Sequence, residues 1–498
     1  MTATTRQPAT GDALAAQLGA RREPAPAHEL RLTVALQALS PAVRALHDAG
    51  ARFVTMFVAD ARERSLLVVC ALGGQLIVLR AAADGAGPIS HRSIGSWWPA
   101  ARWAEQELCE REGTRPHGAR FDRPLTRPDA DAVDERVHGL DVFTIPYGPV
   151  RSGVFEAIQF QIASGGESVP WLQTRPFFKH RGLEQRFRGL EPERAVYVAE
   201  RVAGIATVAY AVAFSQAVER AVAVAPTAAA ERWRVVHAEI ERLACHLDVI
   251  AKEAETAALA VGQARFLILK EQVMRLRAQL TGSRFGRGVV VPGGVRAAGA
   301  LELEQLRGAV DALERQLTRD RRLFVATPSM TDRLIGAGRL PRDLIERYGA
   351  VGPLARGSGA SADARHEIPY GDYRRLGLRV VTHRDGDAMA RINVRFGELF
   401  ESLRILRGAI DHLERHDDRL REPLPDGGTG AALGWAEAPQ GELVVWVSLR
   451  DGLVEQVHIA SPSLRNWALF DHAFPRDVLT DFAFIEHSFG LTPAGADR

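Results

Sequence analysis

The fold is decided by two neighbouring stretches, Lys179-His180-Arg181-Gly182-Leu183-Glu184 and Glu200-Arg201-Val202-Ala203-Gly204-Ile205-Ala206-Thr207-Val208-Ala209-Tyr210. The second stretch opens a segment rich in alanine and valine, residues 202–218, which is bounded by charges at Arg201 and Glu219. Polar side chains interrupt this segment, and it is shorter than the roughly 20 apolar residues that a bilayer crossing needs. We therefore predict a buried core helix and no membrane span.

The composition is that of an ordinary soluble globular protein. The chain has 498 residues, of which 46% are hydrophobic and 25% are charged, which suits two or three domains with a large core. The formal net charge is +2, from 63 basic and 61 acidic residues. Because such a balance gives no basic field to attract nucleic acid, we expect no nucleic-acid partner.

The cysteines are few and scattered. Cys70, Cys109 and Cys245 form no C-x-x-C pair, whereas an iron–sulfur cluster held by thiolates needs about four clustered cysteines. The pattern also disfavours a disulfide scaffold. We therefore expect no cluster bound by this chain itself, and folding in a reducing cytoplasm.

Residues 30–135 are predicted to form a small α+β domain. Three runs are apolar and β-branched: residues 53–58, 66–69 and 76–79. Turn-like sequence at Asp60–Arg64 and at Gly73-Gly74 separates them, which is typical of a meander. Residues 1–29 lack an apolar signal core, and we predict a flexible tail there.

Residues 136–498 change to a helical period. Apolar side chains recur at alternating spacings of three and four in four stripes: Trp233 to Ile250, Phe266 to Leu280, Leu303 to Leu317 and Ile392 to Leu413. Such stripes predict long helices packed side by side as a bundle, with a solitary coiled coil as the alternative. The Gly- and Pro-containing interruption at 291–295 favours the bundle.

The two opening stretches resemble a known family. They match the "HRGxEK … (D/E)RxCGxC" region of group 4 nickel–iron hydrogenase large subunits, of the formate hydrogenlyase and hydrogenase-4 type, and the "HRGTEK … DRLDY" region of the 49 kDa subunit of complex I. Four further segments resemble these proteins in the same order: residues 97–108, 145–162, 351–370 and 434–441. The chain is identified as a member of that family, with a 30 kDa-like module at 30–135 ahead of a 49 kDa-like domain at 136–498.

The resemblance implies an α+β fold in two parts. The N-terminal part would be a small α/β sandwich-like domain of the complex I 30 kDa type. The second part would be a mainly helical bundle with peripheral β-hairpins, as in hydrogenase large subunits.

The hydrogenases of this family carry a nickel site, but this chain lacks the four cysteines that bind the metal there. The four cysteine positions of the hydrogenases correspond here to Ala203, Ala206, Ser488 and Leu491. Nickel selects soft thiolates, and an alanine methyl group has no lone pair to give. Gln440 stands where the hydrogenases carry an arginine over the metals, so the surroundings of the ligands have changed as well. We expect neither nickel nor H₂ chemistry.

Four charged or polar residues around the first motif match the family. Glu156 aligns with a glutamate that relays protons in the hydrogenases, and Arg181 and Glu184 are kept. They form either a surviving proton path, with these residues catalytic, or buried salt bridges that hold a hairpin and a helix in register. His180 is either a site residue or a hydrogen-bonded packing residue.

The resemblance places a quinone cavity at the same position. The tyrosine that binds quinone in complex I corresponds to Gly204, and Tyr210, one and a half turns further along, is a candidate substitute. With Glu486 and Gln440, these residues are predicted to line a remodelled cavity.

Two further groups carry polar side chains from the family motifs. Glu241, Arg242 and His246 match the "E-x-x-R-L-x-x-H-L" helix, whose polar face in the family lies toward the small subunit with the nearest 4Fe–4S cluster; a satisfied core histidine is the alternative for His246. The second group, Arg356, Asp363 and Arg365, lies in the loop at 351–370 that resembles the family. It is either part of the site or a structural ion-pair network.

The expected function follows from this resemblance. The chain would belong to a membrane-associated hydrogenase-4-like or NADH–quinone oxidoreductase-like complex and would pass electrons from a partner's 4Fe–4S cluster to quinone or another acceptor. The alternative is a redox-inactive structural or coupling subunit. Partners would be an iron–sulfur small subunit and membrane subunits, at the cytoplasmic face of the plasma membrane. NAD would bind elsewhere, because no Gly-rich dinucleotide loop follows a strand here.

Overall fold

A computed structural model describes residues 11–59, 64–83, 87–129, 142–151, 156–296, 301–413, 419–475 and 477–498. It divides into two compact units. The first comprises Met1–Thr126 with Arg347–Gly349, and the second comprises Arg127–Glu346 with Ala350–Arg498. The predicted domain boundary at residues 135–136 lies outside the described residues.

The first unit is built on a five-stranded sheet. Its elements are α1 (Gly11–Leu18), β1 (Arg21–Glu23), β2 (Glu29–Ala35), α2 (Leu39–Asp48), β3 (Arg52–Ala59), β4 (Ser65–Leu72), β5 (Gln75–Ala82), β6 (Ser90–Arg92), α3 (Ala101–Glu112) and β7 (Arg115–His117). The strand order is β1-β2-β5-β4-β3, in which only the β2–β5 pair is parallel. The predicted meander is therefore present as β3-β4-β5.

The turn between β4 and β5 shows why the sequence folds this way. Leu72 pairs with Gln75, so Gly73 and Gly74 form a two-residue hairpin loop. Both have positive φ, 57° and 77°, which is the conformation that a tight hairpin turn needs and that glycine adopts without strain. Of the other predicted turn, only Arg64 lies within the described residues.

The expectation of a flexible tail is wrong for residues 11–29. Helix α1 buries Leu14, Ala15 and Leu18, and these side chains belong to the core of the first unit. β1 pairs with β2. The sequence signal was weak because α1 is only eight residues long and its stability comes from packing rather than from its own propensity.

The second unit is mainly helical, with small sheets at its periphery. Its first elements are β8 (Phe143–Tyr147), β9 (Gln159–Ser164), β10 (Trp171–Arg175), α4 (Leu183–Arg186), α5 (Pro192–Ala199), α6 (Thr207–Ala221), α7 (Ala228–Thr256), α8 (Ala260–Thr281), β11 (Val290–Val291), β12 (Gly294–Val295) and α9 (Leu303–Val325). The remaining elements are α10 (Pro328–Leu334), α11 (Arg342–Tyr348), α12 (Gly352–Gly357), α13 (Ala364–Glu367), α14 (Ala388–Asp411), β13 (Gly430–Ala438), β14 (Gly441–Arg450), β15 (Leu453–Ala460), α15 (Pro462–Trp467), α16 (Phe482–Phe489) and α17 (Pro493–Asp497). The α+β class is confirmed.

The four predicted apolar stripes are α7, α8, α9 and α14. Two side chains from each helix line one small apolar gap: Leu243, Leu247, Leu269, Val273, Leu313, Leu317, Leu399 and Leu403. Because all four stripes face one another, they form a bundle within the chain, as predicted, and not a solitary coiled coil.

The predicted core helix is α6. Nearly every side chain of α6 is buried, from Thr207 to Glu219, between the bundle and the antiparallel sheet β13-β14-β15. The approach to β13 is close enough that a Cβ on Gly434 would lie 2.0 Å from the carbonyl oxygen of Ala213. Among the described residues, no helix has the length and apolar character to cross a membrane.

The segment 145–162, one of those that resemble the family, contributes two paired strands. β8 and β9 pair antiparallel, with Tyr147 opposite Phe160. Residues 152–155, between them, lie outside the described residues.

Candidate functional site

The segment 179–184, here called the HRG segment, binds the last helix, α17. The Nδ1 atom of His180 lies 2.6 Å from the carbonyl oxygen of Asp497. Arg181 donates to the carbonyl oxygens of Val202 at 2.6 Å and Ala494 at 3.1 Å. Arg181 therefore joins α17 to the segment that carries Ala203 and Ala206.

Glu156 binds the start of α17. Its Oε2 atom accepts from the Thr492 hydroxyl at 2.7 Å and from the Ala494 amide at 2.6 Å. The Lys179 Nζ atom lies 3.5 Å from its other oxygen. Glu156 and Arg181 thus meet at Ala494, one at its amide and the other at its carbonyl group.

Glu184 binds the other end of α17 and strand β15. Its Oε1 atom accepts from the Ile459 amide at 2.9 Å and lies 3.2 Å from nitrogens of both His458 and Arg498. Burial alone would raise the pKa of Glu184, but Arg498 and His458 lower it below its ordinary value. Glu184 is thus held ionised as an anchor.

Asp497 is a residue that sequence reasoning missed. Its carboxylate accepts from the amides of Phe177 at 2.7 Å and Lys179 at 2.8 Å, and burial raises its pKa to about 6. Nothing in the local sequence marks it, because its partners lie more than 300 positions away in the chain.

The degenerate nickel positions offer no ligand set. Ala203 and Ala206 are buried, and α6 begins directly after them. The Ser488 hydroxyl accepts from Arg391 Nε at 2.9 Å and donates to the Ile485 carbonyl at 2.7 Å. No group of three or more His, Cys, Asp or Glu in the described ranges could hold a metal ion. The residues present therefore do not fit nickel.

The other predicted cavity residues have separate partners. Glu486 forms a two-pronged ion pair with Arg151 at 2.7 and 2.8 Å, and Gln440 donates to Cys245 Sγ at 3.3 Å. The Tyr210 hydroxyl lies 3.3 Å from Ser461 Oγ, and burial raises its pKa to about 12. Gly204 is exposed, and its carbonyl accepts from Thr207. The structure therefore joins Glu156, His180, Arg181 and Glu184 around α17, but gives Glu486 and Gln440 other neighbours.

Glu241 binds the N-terminus of α6. Its two carboxylate oxygens accept from the amides of Val208 at 2.7 Å and Ala209 at 3.0 Å, which is where a helix dipole favours a negative group. Burial nonetheless raises its pKa to about 7, against the opposing field of Arg277. Glu241 therefore positions the turn that follows Ala206.

His246 and the loop arginines form a buried network, here called the ion network. His246 Nε2 bonds Glu398 at 2.8 Å, and Arg356 pairs with Glu398 at 2.7 Å and Glu437 at 2.8 Å. Burial lowers the pKa of His246 to about 4, so it is neutral.

The rest of the ion network follows the same rule of opposite charges in contact. Arg365 pairs with Asp363 at 2.7 Å and Glu239 at 3.1 Å, and Arg242 lies 3.3 Å from Glu239. Since Glu241, Arg242 and His246 are all buried within this chain, their predicted role toward a cluster-bearing partner stays a prediction.

Known proteins match a large part of the chain. Residues 263–426 match the family described as respiratory-chain NADH dehydrogenase, 49 Kd subunit. Formate hydrogenlyase subunit 5 of Escherichia coli (strain K12) is 27% identical over 452 residues, which cover 85% of this chain and 79% of that protein. The chain is a homologue of these large subunits.

A further relative and a solved structure are also similar to this chain. The membrane-bound hydrogenase subunit alpha of Pyrococcus furiosus is 29% identical over 323 residues, covering 62% of this chain and 76% of that one. Among solved structures, a chain of the membrane-bound sulfane sulfur reductase, an archaeal respiratory membrane complex, has the same fold, with a TM-score of 0.68 at 24% identity over 72% of this chain and 99% of that one. The resemblance seen in the sequence is confirmed for the large-subunit family.

Proposed function

We propose that this chain is the large subunit of a membrane-associated complex of the hydrogenase-4 and complex I type, which passes electrons to quinone or another small acceptor without nickel. The observation that carries the proposal is the replacement of all four nickel ligands within a retained scaffold. Two of those positions are buried alanines, and the hydroxyl of Ser488 is already bonded to Arg391.

The electrons would come from a 4Fe–4S cluster in a small-subunit partner. This chain has three cysteines in all, too few for a cluster of its own. The buried ion network would keep α7, α12 and α14 in fixed positions behind the surface that receives the partner. Membrane subunits would attach the assembly to the plasma membrane, at its cytoplasmic face; the name of one relative, a membrane-bound hydrogenase, supports the attachment.

The acceptor would bind beside the segment 203–206. Arg181 joins this segment to α17 through Val202 and Ala494, and Glu241 holds the following helix turn. Glu156, which is about one-third exposed, would deliver protons from solvent to this place.

An electron paramagnetic resonance experiment tests this proposal. The intact complex is purified through a tag on this chain, reduced with dithionite and mixed with a quinone analogue. We expect a reduced-cluster signal that the quinone oxidises, and slower oxidation with Glu156→Gln than with the control Glu167→Gln, an exposed carboxylate. A cluster that stays reduced in the presence of quinone would refute an acceptor site.

A second candidate is a redox-inactive structural or coupling subunit. It is favoured by the fact that Glu156, Arg181 and Glu184 all bind α17 and its flanks, as charges that hold elements in register do. The same experiment distinguishes the electron-transfer role from the structural role. A complex without a cluster, or with a cluster that no tested acceptor oxidises, supports the structural role.

A further inference from the structure

Three buried side chains, Glu253 of α7 and Arg391 and Arg395 of α14, leave polar atoms without partners. All three residues are fully buried in the folded chain. Four of their atoms have no hydrogen-bond partner among the described residues: Oε1 and Oε2 of Glu253, Nη2 of Arg391 and Nε of Arg395. The two arginines are the charged groups that act on Glu253. These three side chains are here called the Glu253 pocket.

The bonds that the two arginines do make, within the described part of the chain, go to neutral groups. Arg391 donates to the Ser488 hydroxyl and to the carbonyl oxygens of Gly338 and Gly386, each at 2.9 Å. Arg395 donates to His246 Nδ1 at 3.1 Å and to the Phe489 carbonyl at 2.8 Å. Glu253 is the carboxylate that acts on both arginines; Asp387 and Asp477 also act on Arg391, and Glu398 also acts on Arg395. Glu253 nonetheless bonds neither arginine directly.

Physical chemistry does not allow four such atoms to stay dry and unbonded. Buried polar groups in native proteins are bonded to protein or to ordered water, and an unpaired buried charge is costly. A buried water molecule needs two to four polar partners, and the pocket supplies acceptors on one side and donors on the other.

We propose that Glu253, Arg391 and Arg395 line an internal hydration site, in which water molecules bridge the carboxyl group of Glu253 to the two guanidinium groups and which stores a proton beside Ser488. The stored proton is the one on the Glu253 carboxyl group. It can pass to a bridging water by exchange of O–H bonds alone, so no oxidant or further reactant is needed.

The surroundings favour the protonated form of Glu253. A buried carboxylate is stabilised by hydrogen bonds that it accepts, and Glu253 accepts none from the described chain. Burial raises its pKa well above the ordinary value, in spite of the two arginines. On the neighbouring α16, His487 Nδ1 lies 2.8 Å from Thr256 Oγ1, and burial lowers the pKa of His487 to about 4, so it adds no charge.

This site would give the proposed acceptor reaction a second proton store, apart from Glu156. That use rests on the proposed function, whereas the hydration site itself does not. Arg391 joins the hydration site to Ser488, because its Nε atom bonds the Ser488 hydroxyl and its Nη2 atom is one of the unpartnered donors.

Infrared difference spectroscopy of the full chain tests the proposal. The variant is Glu253→Gln, and the control is Glu255→Gln, an exposed carboxylate on the same helix. We expect the spectrum of the unmodified chain minus that of E253Q to show the C=O band of a protonated carboxyl group, and this band to shift in D₂O. The control difference should lack the band. Other buried carboxyl groups cancel in both differences.

Two results would overturn the proposal. If E253Q loses no carboxyl C=O band, Glu253 is ionised in the unmodified chain. If the band does not shift in D₂O, the Glu253 proton does not exchange with water and the pocket holds none. A density map of the unmodified complex gives an independent test that needs no variant: we expect water between Glu253 and the arginines, and direct carboxylate–guanidinium contact would contradict us. If quinone fails to oxidise the cluster while these results hold, the proposed function fails and the hydration site stands.

Discussion

The ion network and the Glu253 pocket both include buried side chains of α7 and α14, but their charged groups are partnered in opposite ways. In the ion network every arginine contacts a carboxylate, as Arg356 does with Glu398 and Glu437. In the Glu253 pocket the arginines bond neutral groups and the carboxylate bonds nothing in the described chain. Arg391 of the pocket bonds Ser488, one of the four positions predicted from the sequence to replace nickel ligands.

The difference separates what supports the scaffold from what can serve chemistry. Paired buried charges fix geometry, because removing one partner leaves the other uncompensated. Unpaired buried groups need water or a ligand, and they cluster at functional sites. Arg242 and His246 of the family motif in α7 contact carboxylates of the ion network, and we propose that the chemistry lies nearer to residues 203–206 and 488.

The largest effect is expected when the ion network is broken at its centre. Arg356→Met leaves Glu398 and Glu437 buried without their guanidinium partner, which should cost about 3–5 kcal/mol of unfolding free energy. Urea denaturation followed by circular dichroism measures the loss. Arg342→Met removes an exposed ion pair with Glu346 and should cost less than about 1 kcal/mol. Equal losses of unfolding free energy in both variants would show that the buried ion network contributes no more than an exposed ion pair.

A carboxylate of the same network should show the pH dependence of a paired acid. Burial opposes ionisation of Glu398, but Arg356 and His246 hold its pKa well below the ordinary value. Its stabilisation is therefore present above about pH 4.3, the ordinary pKa of glutamate, and is lost as the pH falls. Glu398→Gln should cost about 3 kcal/mol at neutral pH, and this cost should shrink in acid. A cost that grows in acid would show that Glu398 is not held ionised.

Glu241 should make stability depend on pH in the opposite direction to Glu398, with the unfolding free energy falling as the pH rises. Its pKa is raised by burial to about 7, so the protonated form is favoured by folding. The unmodified chain should lose on the order of 3 kcal/mol of stability as the pH rises from about 4.3 to about 7, and Glu241→Gln should remove that loss. Urea denaturation at several pH values measures it, with Glu255→Gln as control. An unchanged slope in E241Q would assign the titration to another group.

The smallest effect is expected from the same substitution in the Glu253 pocket. Burial raises the pKa of Glu253 above its ordinary value, so at pH 4, below the ordinary glutamate pKa of about 4.3, the group is protonated and glutamine has nearly the same shape and charge. Glu253→Gln should therefore change the unfolding free energy by less than about 0.5 kcal/mol, far less than Glu398→Gln does at neutral pH. A loss as large as that of E398Q would place Glu253 in a paired network.

Much of the fold could be predicted from the sequence, because it depends on local period and turn chemistry. The stripes of α7, α8, α9 and α14 and the Gly73-Gly74 turn are visible in single segments. The site was less predictable, because its contacts join distant parts of the chain: Glu156 meets Ala494, and Glu184 meets Arg498. Glu253 belongs to no motif, and only its lack of partners in the fold singles it out. The 30 kDa-like character of residues 30–135 stays a prediction.

The most direct test of the account is the nickel content of the complex purified through this chain, measured per chain by mass spectrometry of the metals. Ala203, Ala206, Ser488 and Leu491 give nickel no thiolate, so we expect far less than one nickel per chain. One nickel per chain would contradict the central claim and would require ligands other than these four residues.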